Sequence, residues 1–275
     1  MELIEIFKAI ILGIIEGITE WLPISSTGHM ILVDEFLQLG MSGAFKEMFF
    51  VVIQLGAIMA VVVLYWKKIF PFSFKNKQFI QKDIFIMWIK IVIACIPAAI
   101  VGIMWDDKIN ALFYNFQTVA IALIVFGILF IVVENYNKGR NPIVKNINQL
   151  TYKMAITIGL FQLIAAVFPG TSRSGATILG ALLIGISREV AAEFTFFLAI
   201  PVMFGASLLK LIKFGIEFTS FELIVLLVGM IVAFVVSLGA IKFLVGYIKK
   251  HDFKVFGWYR IVLGCILIIY YFFIM

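Results

Sequence analysis

The chain has 275 residues, of which 63% are hydrophobic and 14% charged, and its mean hydropathy is +1.12. A soluble domain is about half apolar and about one-quarter charged, so this composition excludes soluble enzymes, nucleic-acid-binding proteins and disulfide-stabilised secreted domains. The net charge of +6 comes mainly from lysines in short segments between apolar runs, where basic residues orient a protein in a membrane. The composition therefore predicts an integral protein of a cell (inner) membrane.

Six apolar runs are long enough to cross a bilayer as helices. The predicted spans are residues 49–66, 84–105, 117–134, 190–212, 222–241 and 257–274. Two further stretches, residues 3–39 and 151–186, are interrupted by Pro, Gly, Ser and Thr, and their arms have roughly 12 to 15 residues against the ~20 of a span. Non-helical backbone at membrane depth must line protein or a water-filled cavity. We therefore expect two re-entrant helix pairs that line a polar pocket, with two tilted spans per stretch as the alternative.

The two interrupted stretches resemble each other. A single ungapped alignment places Gly13 on Gly159, Pro23 on Pro169, Ser26 on Ser172, Glu47 on Glu193 and Lys67 on Lys213. This pattern predicts one membrane domain, residues 1–275, made of duplicated halves at residues 1–136 and 151–275. Because each half has three spans, an odd number, the halves should be inverted. The predicted fold is an all-α inverted-topology repeat, each half a re-entrant helix pair plus three transmembrane helices, with the two pairs meeting near the midplane.

Lysines and arginines are distributed unequally between the two faces of this layout. Most of them lie on the face with residues 67–83, 135–153 and 242–256. Lys90, Arg188 and Arg260, at nearby span ends, are expected to extend to that face. The excess of basic residues makes it the cytoplasmic face. Both termini are therefore predicted to be extracytoplasmic, and the first re-entrant loop should open to the outside.

Two carboxylates lie inside the first interrupted stretch, in the sequence ILGIIEGITEWLP. Glu16 and Glu20 are four residues apart, so on a helix they share one face and can jointly hold a cation or divide acid and base roles. The alternative is a pair of surface carboxylates at a helix end. The apolar flanks disfavour that alternative, because acids inside a membrane are costly and mark functional sites.

The first break supplies hydroxyl groups and free backbone N–H groups at the start of a helix, an arrangement that binds anions. Its polar residues are Ser25, Ser26, Thr27 and His29. Ser26 and His29 are three residues apart, and a serine with an imidazole within reach is the minimal form of an activated nucleophile. The alternative is helix capping by Ser25 or Ser26 beside a hydrogen-bonded core histidine.

The second break repeats this pattern with an arginine in it. Arg173 lies far from other basic residues, and a guanidinium at that depth needs a carboxylate or a phosphate as its partner. Arginine among Gly, Ser and Thr favours a phosphate cradle, although a purely structural pair with Glu20 is the alternative. Other polar side chains expected at the same pocket are Ser172, Ser174, Thr177 and, unless it serves helix packing, Gln54.

Four motifs at these positions resemble those of the undecaprenyl-diphosphate phosphatase family, also called the bacitracin-resistance family. They are EGITE, LPISSTGHM, FVVIQLGAI and PGTSRSGATI, and the resemblance covers essentially the whole chain. It implies hydrolysis of undecaprenyl diphosphate to the monophosphate carrier of cell-wall (peptidoglycan) synthesis, with bacitracin resistance, dependence on a divalent cation and an outward-facing site. The expected partners are a polyprenyl diphosphate lipid and the bilayer, with no nucleic acid, and a homodimer is a candidate assembly.

The resemblance also implies roles for individual residues. Glu16 and Glu20 would be the acidic pair that holds the cation, Mg²⁺ or Ca²⁺. Ser26 would be the nucleophile, His29 its acid/base partner and Arg173 a ligand of the diphosphate. Further substrate contacts are expected from Ser25, Thr27, Ser172, Ser174, Thr177 and Gln54. Two routes stay open, a phosphoserine intermediate or water activated by a carboxylate. A transporter or flippase for a prenyl-phosphate lipid is the alternative function, since inverted repeats are typical of transporters.

Overall fold

A computed structural model of the chain describes residues 2–73, 79–113, 115–215 and 218–273. Within these ranges the secondary structure is helical. The helices are α1 Glu2–Thr19, α2 Ser26–Phe36, α3 Gly43–Ile69, α4 Lys82–Phe113, α5 Phe116–Asn137, α6 Tyr152–Val167, α7 Arg173–Leu183, α8 Arg188–Phe214, α9 Ser220–Ile248 and α10 Lys254–Phe273, with a 3₁₀ turn at Ile147–Gln149. Lys75 and Lys77, which contributed to the predicted charge asymmetry, lie outside the described residues.

Six of the described helices are long and apolar enough to cross a membrane: α3, α4, α5, α8, α9 and α10. They coincide with the six predicted spans, so the prediction of an all-helical, multi-pass membrane protein is confirmed. The two interrupted stretches form the remaining four helices, α1 with α2 and α6 with α7, and each pair is separated by a short break. The breaks therefore fall where the proline, glycine and hydroxyl residues predicted them.

The order of helices α1 to α5 is repeated in α6 to α10. Helices α2 and α7 both have 11 residues, and α3 and α8 both have 27. Contacts between the two sets are reciprocal, because α1 packs on α9 while α6 packs on α4, and the equivalent helices α3 with α8 and α5 with α10 pack on each other. The two sets thus share one order of helices and make reciprocal contacts.

Helices α3 and α8 run antiparallel, as two ion pairs at opposite ends of their contact show. Lys68, at the end of α3, binds Glu193, near the start of α8, with an N–O distance of 2.9 Å. Lys210, near the end of α8, binds Glu47, near the start of α3. Glu47 and Glu193, which the sequence alignment made equivalent, therefore make equivalent contacts.

Glycine lets the arm helices approach their neighbours closely in both halves. A Cβ atom on Gly13 of α1 would lie 2.7 Å from the carbonyl oxygen of Gly229, and one on Gly159 of α6 would lie 2.4 Å from that of Ala94. Both distances are too short for any side chain. Small residues at such contacts let membrane helices pack backbone against backbone, and here they fix the arms that lead into the two breaks.

Each break ends in a serine with left-handed backbone, at φ 76° for Ser25 and φ 69° for Ser172. The hydroxyl of Ser25 accepts a hydrogen bond from the backbone N–H of Gly28 at 3.3 Å, and the hydroxyl of Ser172 accepts one from the backbone N–H of Gly175 at 3.1 Å. Ser25 is therefore the structural counterpart of Ser172, and the alignment of Ser26 with Ser172 is wrong by one residue. The reason is that the second break has one more residue between its proline and its capping serine.

Arg260 of α10 ties the two breaks together. Its side chain is fully buried, and its guanidinium donates to the carbonyl oxygens of Pro23 at 3.3 Å, Gly170 at 3.0 Å and Thr171 at 2.7 Å. The prediction that Arg260 extends to the cytoplasmic face is wrong. Buried carbonyl oxygens at the breaks lack helical hydrogen-bond partners, and the guanidinium supplies donors to them instead. Lys90 is also buried, whereas Arg188 pairs with the carboxylate of Glu134.

We expect Arg260→Met to destabilise the fold. The substitution keeps the apolar stem but removes every donor, and each buried acceptor left without a partner costs about 1–3 kcal/mol. The midpoint of thermal unfolding in detergent should fall by about 10 °C. Arg140→Met is the matched control, because Arg140 is exposed and stacks on Tyr136. Equal shifts for the two variants would contradict the anchoring role of Arg260.

Candidate active site

The carboxylate of Glu20 lies at the centre of the candidate site. Its Oε2 accepts a hydrogen bond from the hydroxyl of Ser26 at 2.6 Å, and its Oε1 accepts one from the guanidinium of Arg173 at 2.8 Å. The side chain of Glu20 is 6% exposed and that of Arg173 13%. Three residues that the sequence proposed for chemistry therefore form one nearly buried cluster, although they come from the residue that follows α1 and from the starts of α2 and α7.

Ser26 and Arg173 occupy equivalent places in the two halves. Each is the first residue of its helix and directly follows the capping serine. The second break is fixed further to the end of α1, since the hydroxyl of Ser174 donates to the carbonyl of Glu20 at 3.0 Å. Two helix N-termini, where free N–H groups and the helix dipole favour anions, are thus held at one carboxylate.

The guanidinium of Arg173 is positioned by α8 as well. It donates to the carbonyl of Thr195 at 2.9 Å, and the hydroxyls of Thr177 and Thr195 lie 2.9 Å apart. Nε of Arg173 is buried and has no hydrogen-bond partner among the described residues. The sequence does not predict a role for Thr195. It offers one indication, a hydroxyl two residues after Glu193 in an apolar run.

Glu16 lies one turn before Glu20 on α1 and is buried. It interacts electrostatically with Glu20 and Arg173, yet its Oε1 has no partner among the described residues. The described part of the chain contains no group of three or more His, Cys, Asp or Glu side chains that could hold a metal ion, so no cage made of protein alone forms. An orphaned carboxylate oxygen does fit a cation such as Mg²⁺, which often takes one or two carboxylates and completes its shell with substrate phosphates.

His29 is held away from Ser26. Its Nδ1 lies 2.7 Å from the carbonyl oxygen of Ser25, and its Nε2 lies 2.6 Å from the hydroxyl of Tyr259. The predicted pairing of Ser26 with His29 is therefore not made, because Ser26 donates to Glu20 and the imidazole finds a carbonyl one turn back on its own helix. Tyr259 was missed from the sequence, since aromatic residues near span ends usually mark the membrane interface.

The remaining predicted residues either cap helices or lie half-buried without a bond to the cluster at Glu20. Ser25 and Ser172 serve as helix caps, which is the alternative that the sequence left open. Thr27 is half-buried in the first turn of α2, and Gln54 is half-buried on α3. Among the described residues, no hydrogen bond links Gln54 to the cluster at Glu20, so its predicted contact with the substrate stays a prediction.

Two cavities lie at the far ends of the short helices. One of about 700 Å³ is lined by Met30, Ile31 and Asp34 of α2 and by residues of α3, α4 and α8. The other, of about 500 Å³, lies where α7 ends and α8 begins. The first cavity shares α2 with Ser26 and His29, whereas the second lies at the end of α7 remote from Arg173.

Comparisons with known proteins identify the family to which the chain belongs. The family model described as "Bacitracin resistance protein BacA" matches residues 9–266. The undecaprenyl-diphosphatase of Desulfitobacterium hafniense is 69% identical over 271 residues, which cover 98% of each chain. Undecaprenyl-diphosphatase 1 of Clostridium acetobutylicum is 68% identical over 98% of this chain and 99% of its own, and the undecaprenyl-diphosphatase of Acetivibrio thermocellus is 64% identical over 98% of each. The chain belongs to the bacitracin resistance protein BacA family.

Proposed function

We propose that the chain is an undecaprenyl-diphosphatase. It hydrolyses undecaprenyl diphosphate to undecaprenyl phosphate and inorganic phosphate, and so regenerates the lipid carrier of peptidoglycan synthesis and confers resistance to bacitracin. Relatives that match 98% of the chain carry this activity in their names. The observation that carries the proposal is the buried cluster of Ser26, Glu20 and Arg173, which combines a nucleophile, a base and a cation.

The short hydrogen bond between Ser26 and Glu20 supports a covalent route. Oγ of Ser26 attacks the terminal phosphorus while its proton passes to Glu20. The bond from that phosphorus to the bridging oxygen breaks, and undecaprenyl phosphate leaves. Water then hydrolyses the phosphoserine and releases inorganic phosphate. This route is favoured over direct activation of water because the nearest carboxylate oxygen, at 2.6 Å, is already bonded to the serine hydroxyl.

Arg173 and the two helix starts stabilise the charge that develops during transfer. Charge accumulates on the oxygens of the transferred phosphoryl group, and fixed donors aimed at it supply most of the catalysis in such reactions. Nε of Arg173 is an unused donor within the site. The free N–H groups at the starts of α2 and α7 face the same region.

We further propose that Glu16, with Glu20, holds a divalent cation, Mg²⁺ or Ca²⁺, together with the diphosphate. When bound, the cation neutralises charge on the phosphate oxygens. The unpartnered Oε1 of Glu16 supports this assignment, because a buried carboxylate oxygen without a donor needs either a proton or a cation.

Helix orientation supports an inverted repeat with re-entrant pairs. Equivalent helices that pack antiparallel, as α3 and α8 do, place the two-fold axis in the plane of the membrane rather than along its normal. Helices α2 and α7, with 11 residues each, are about 16 Å long and too short to span a ~30 Å hydrocarbon core. With the basic face in the cytoplasm, the site and both termini are extracytoplasmic.

Phosphate release by the purified protein tests the activity. In detergent, without any gradient, the wild-type protein should release phosphate from undecaprenyl diphosphate, and Ser26→Ala should lower the rate by about three orders of magnitude or more. Ser220→Ala, at the exposed start of α9, is the matched control. Binding of the lipid without release of phosphate would favour a flippase instead, and near-normal rates for Ser26→Ala would exclude the covalent route.

A chelator tests the proposed cation. Activity in EDTA should fall by about tenfold or more and return when Mg²⁺ or Ca²⁺ is added. Glu16→Gln should raise the cation concentration needed for half-maximal activity, whereas Glu47→Gln, at an exposed carboxylate, should not. Full activity in the chelator would rule out metal binding at Glu16.

Labelling of single cysteines tests the orientation. In a variant that lacks Cys95 and Cys265, a membrane-impermeant maleimide added to intact cells should label Ala44→Cys but not Asn141→Cys. Both positions are exposed, and they lie on opposite predicted faces. Labelling of Asn141→Cys alone would reverse the proposed topology.

A further inference from the structure

Helix α6 carries a buried amide that the proposed mechanism does not use. The side chain belongs to Gln162, which is 1% exposed, and neither its Nε2 nor its Oε1 has a hydrogen-bond partner among the described residues. We propose that this amide binds a phosphate oxygen of the lipid diphosphate. The inference rests on the proposed function and adds α6 to a site that is otherwise built from α1, α2, α7 and α8.

Gln162 holds the place in α6 that Glu16 holds in α1. The alignment that puts Gly13 on Gly159 also puts Glu16 on Gln162. Burial follows the same register, because the four buried residues of α6 fall on four buried residues of α1. The four pairs are Ala155 on Ala9, Ile158 on Leu12, Gly159 on Gly13 and Gln162 on Glu16. The buried face of each helix therefore carries one long polar side chain, an acid on α1 and an amide on α6.

The face of α6 that carries Gln162 packs on α4 at a point close to Arg173. One turn before Gln162, at Gly159, the helix abuts the backbone of Ala94. The residue after Ala94 is Cys95, and its thiol interacts electrostatically with Arg173. The contact between α6 and α4 therefore lies within electrostatic reach of the guanidinium, and Gln162 is the next residue of this face towards the break.

Helix α7, which begins at Arg173, packs on the same part of α6. A Cβ atom on Gly180 of α7 would lie 2.6 Å from the ring of Phe161, so the residue just before Gln162 is in close contact with α7. Gln162 lies between this contact and the break along α6, as Arg173 does along α7. Nε of Arg173 is buried and also lacks a partner. Two side chains with unused N–H donors therefore lie on the same side of the contact.

The chemistry of the amide favours an anion. A buried carboxylate can take up a proton, whereas an amide does not titrate and keeps both its donors and its acceptor. A cation would meet Oε1 but leave the N–H groups unbonded. A hydrated phosphate meets both, since its oxygen accepts from Nε2 and its water donates to Oε1. The amide also brings no negative charge that would repel the diphosphate, in contrast to the carboxylate of Glu16.

Gln162→Met tests whether the amide serves the substrate or the fold. Methionine has nearly the same length and shape, and the amide has no partner within the fold to lose. The variant should therefore unfold in detergent at the temperature of the wild type or above it. Its KM for undecaprenyl diphosphate should rise by about tenfold or more, the effect of one lost hydrogen bond to a charged group. Gln117→Met, at an exposed amide near the start of α5, is the matched control and should change neither quantity.

Binding without turnover tests the contact itself. In the Ser26→Ala background, undecaprenyl diphosphate should raise the midpoint of thermal unfolding, because a ligand that binds the folded state stabilises it. Adding Gln162→Met should raise the lipid concentration that gives half of this shift by about tenfold. Adding Gln117→Met should leave that concentration unchanged.

The possible failures separate this inference from the proposed function. Wild-type values of KM and of the half-shift concentration for Gln162→Met would overturn the inference. A lower unfolding temperature of Gln162→Met without lipid would also overturn it, because the amide would then be bonded within the fold. A wild-type protein that neither releases phosphate nor is stabilised by the lipid would instead contradict the proposed function.

Discussion

The architecture depends on how backbone hydrogen bonds are made at the breaks in the two interrupted stretches. Each break leaves N–H and carbonyl groups without helical partners, and a buried backbone group without a partner is costly. The N–H groups are met by the capping hydroxyls of Ser25 and Ser172, and carbonyls of both breaks are met by the single guanidinium of Arg260. Because one side chain serves both breaks, the starts of α2 and α7 are fixed relative to each other, and Ser26 and Arg173 meet at Glu20 as a result.

The two breaks are similar in backbone and different in chemistry. The position after each capping serine carries a hydroxyl at the first break and a guanidinium at the second, and both bond to the same carboxylate. In the aligned sequence, α6 has Gln162 and Ala166 where α1 has Glu16 and Glu20. Gln162 is buried, and both polar atoms of its amide lack a partner among the described residues. The second break thus has a capped helix start like that of the first, without the two acids.

Sequence patterns predict the spans, the breaks and the polar residues that gather near Glu20, but not the bonds of Ser26 and Arg173 to its carboxylate. The predicted features depend on local composition or on polar residues that are rare in an apolar setting. They do not predict Arg260 or Tyr259, which are adjacent residues near the end of a span and look like ordinary interfacial side chains. Their roles depend on which face of α10 meets the breaks, and that is decided by packing on α5. The counterpart of Ser25 was also missed, since one extra residue in the second break shifts α7 by one residue relative to α2 in the alignment.

The buried charged side chains around the two breaks balance one another. Glu16, Glu20, Arg173 and Arg260 are mostly buried, and their formal charges cancel, so this group of side chains carries no net formal charge that would need a counterion. In the proposed function, a diphosphate that enters this region brings several negative charges with it. Entry of the headgroup would then be coupled to co-uptake of positive charge.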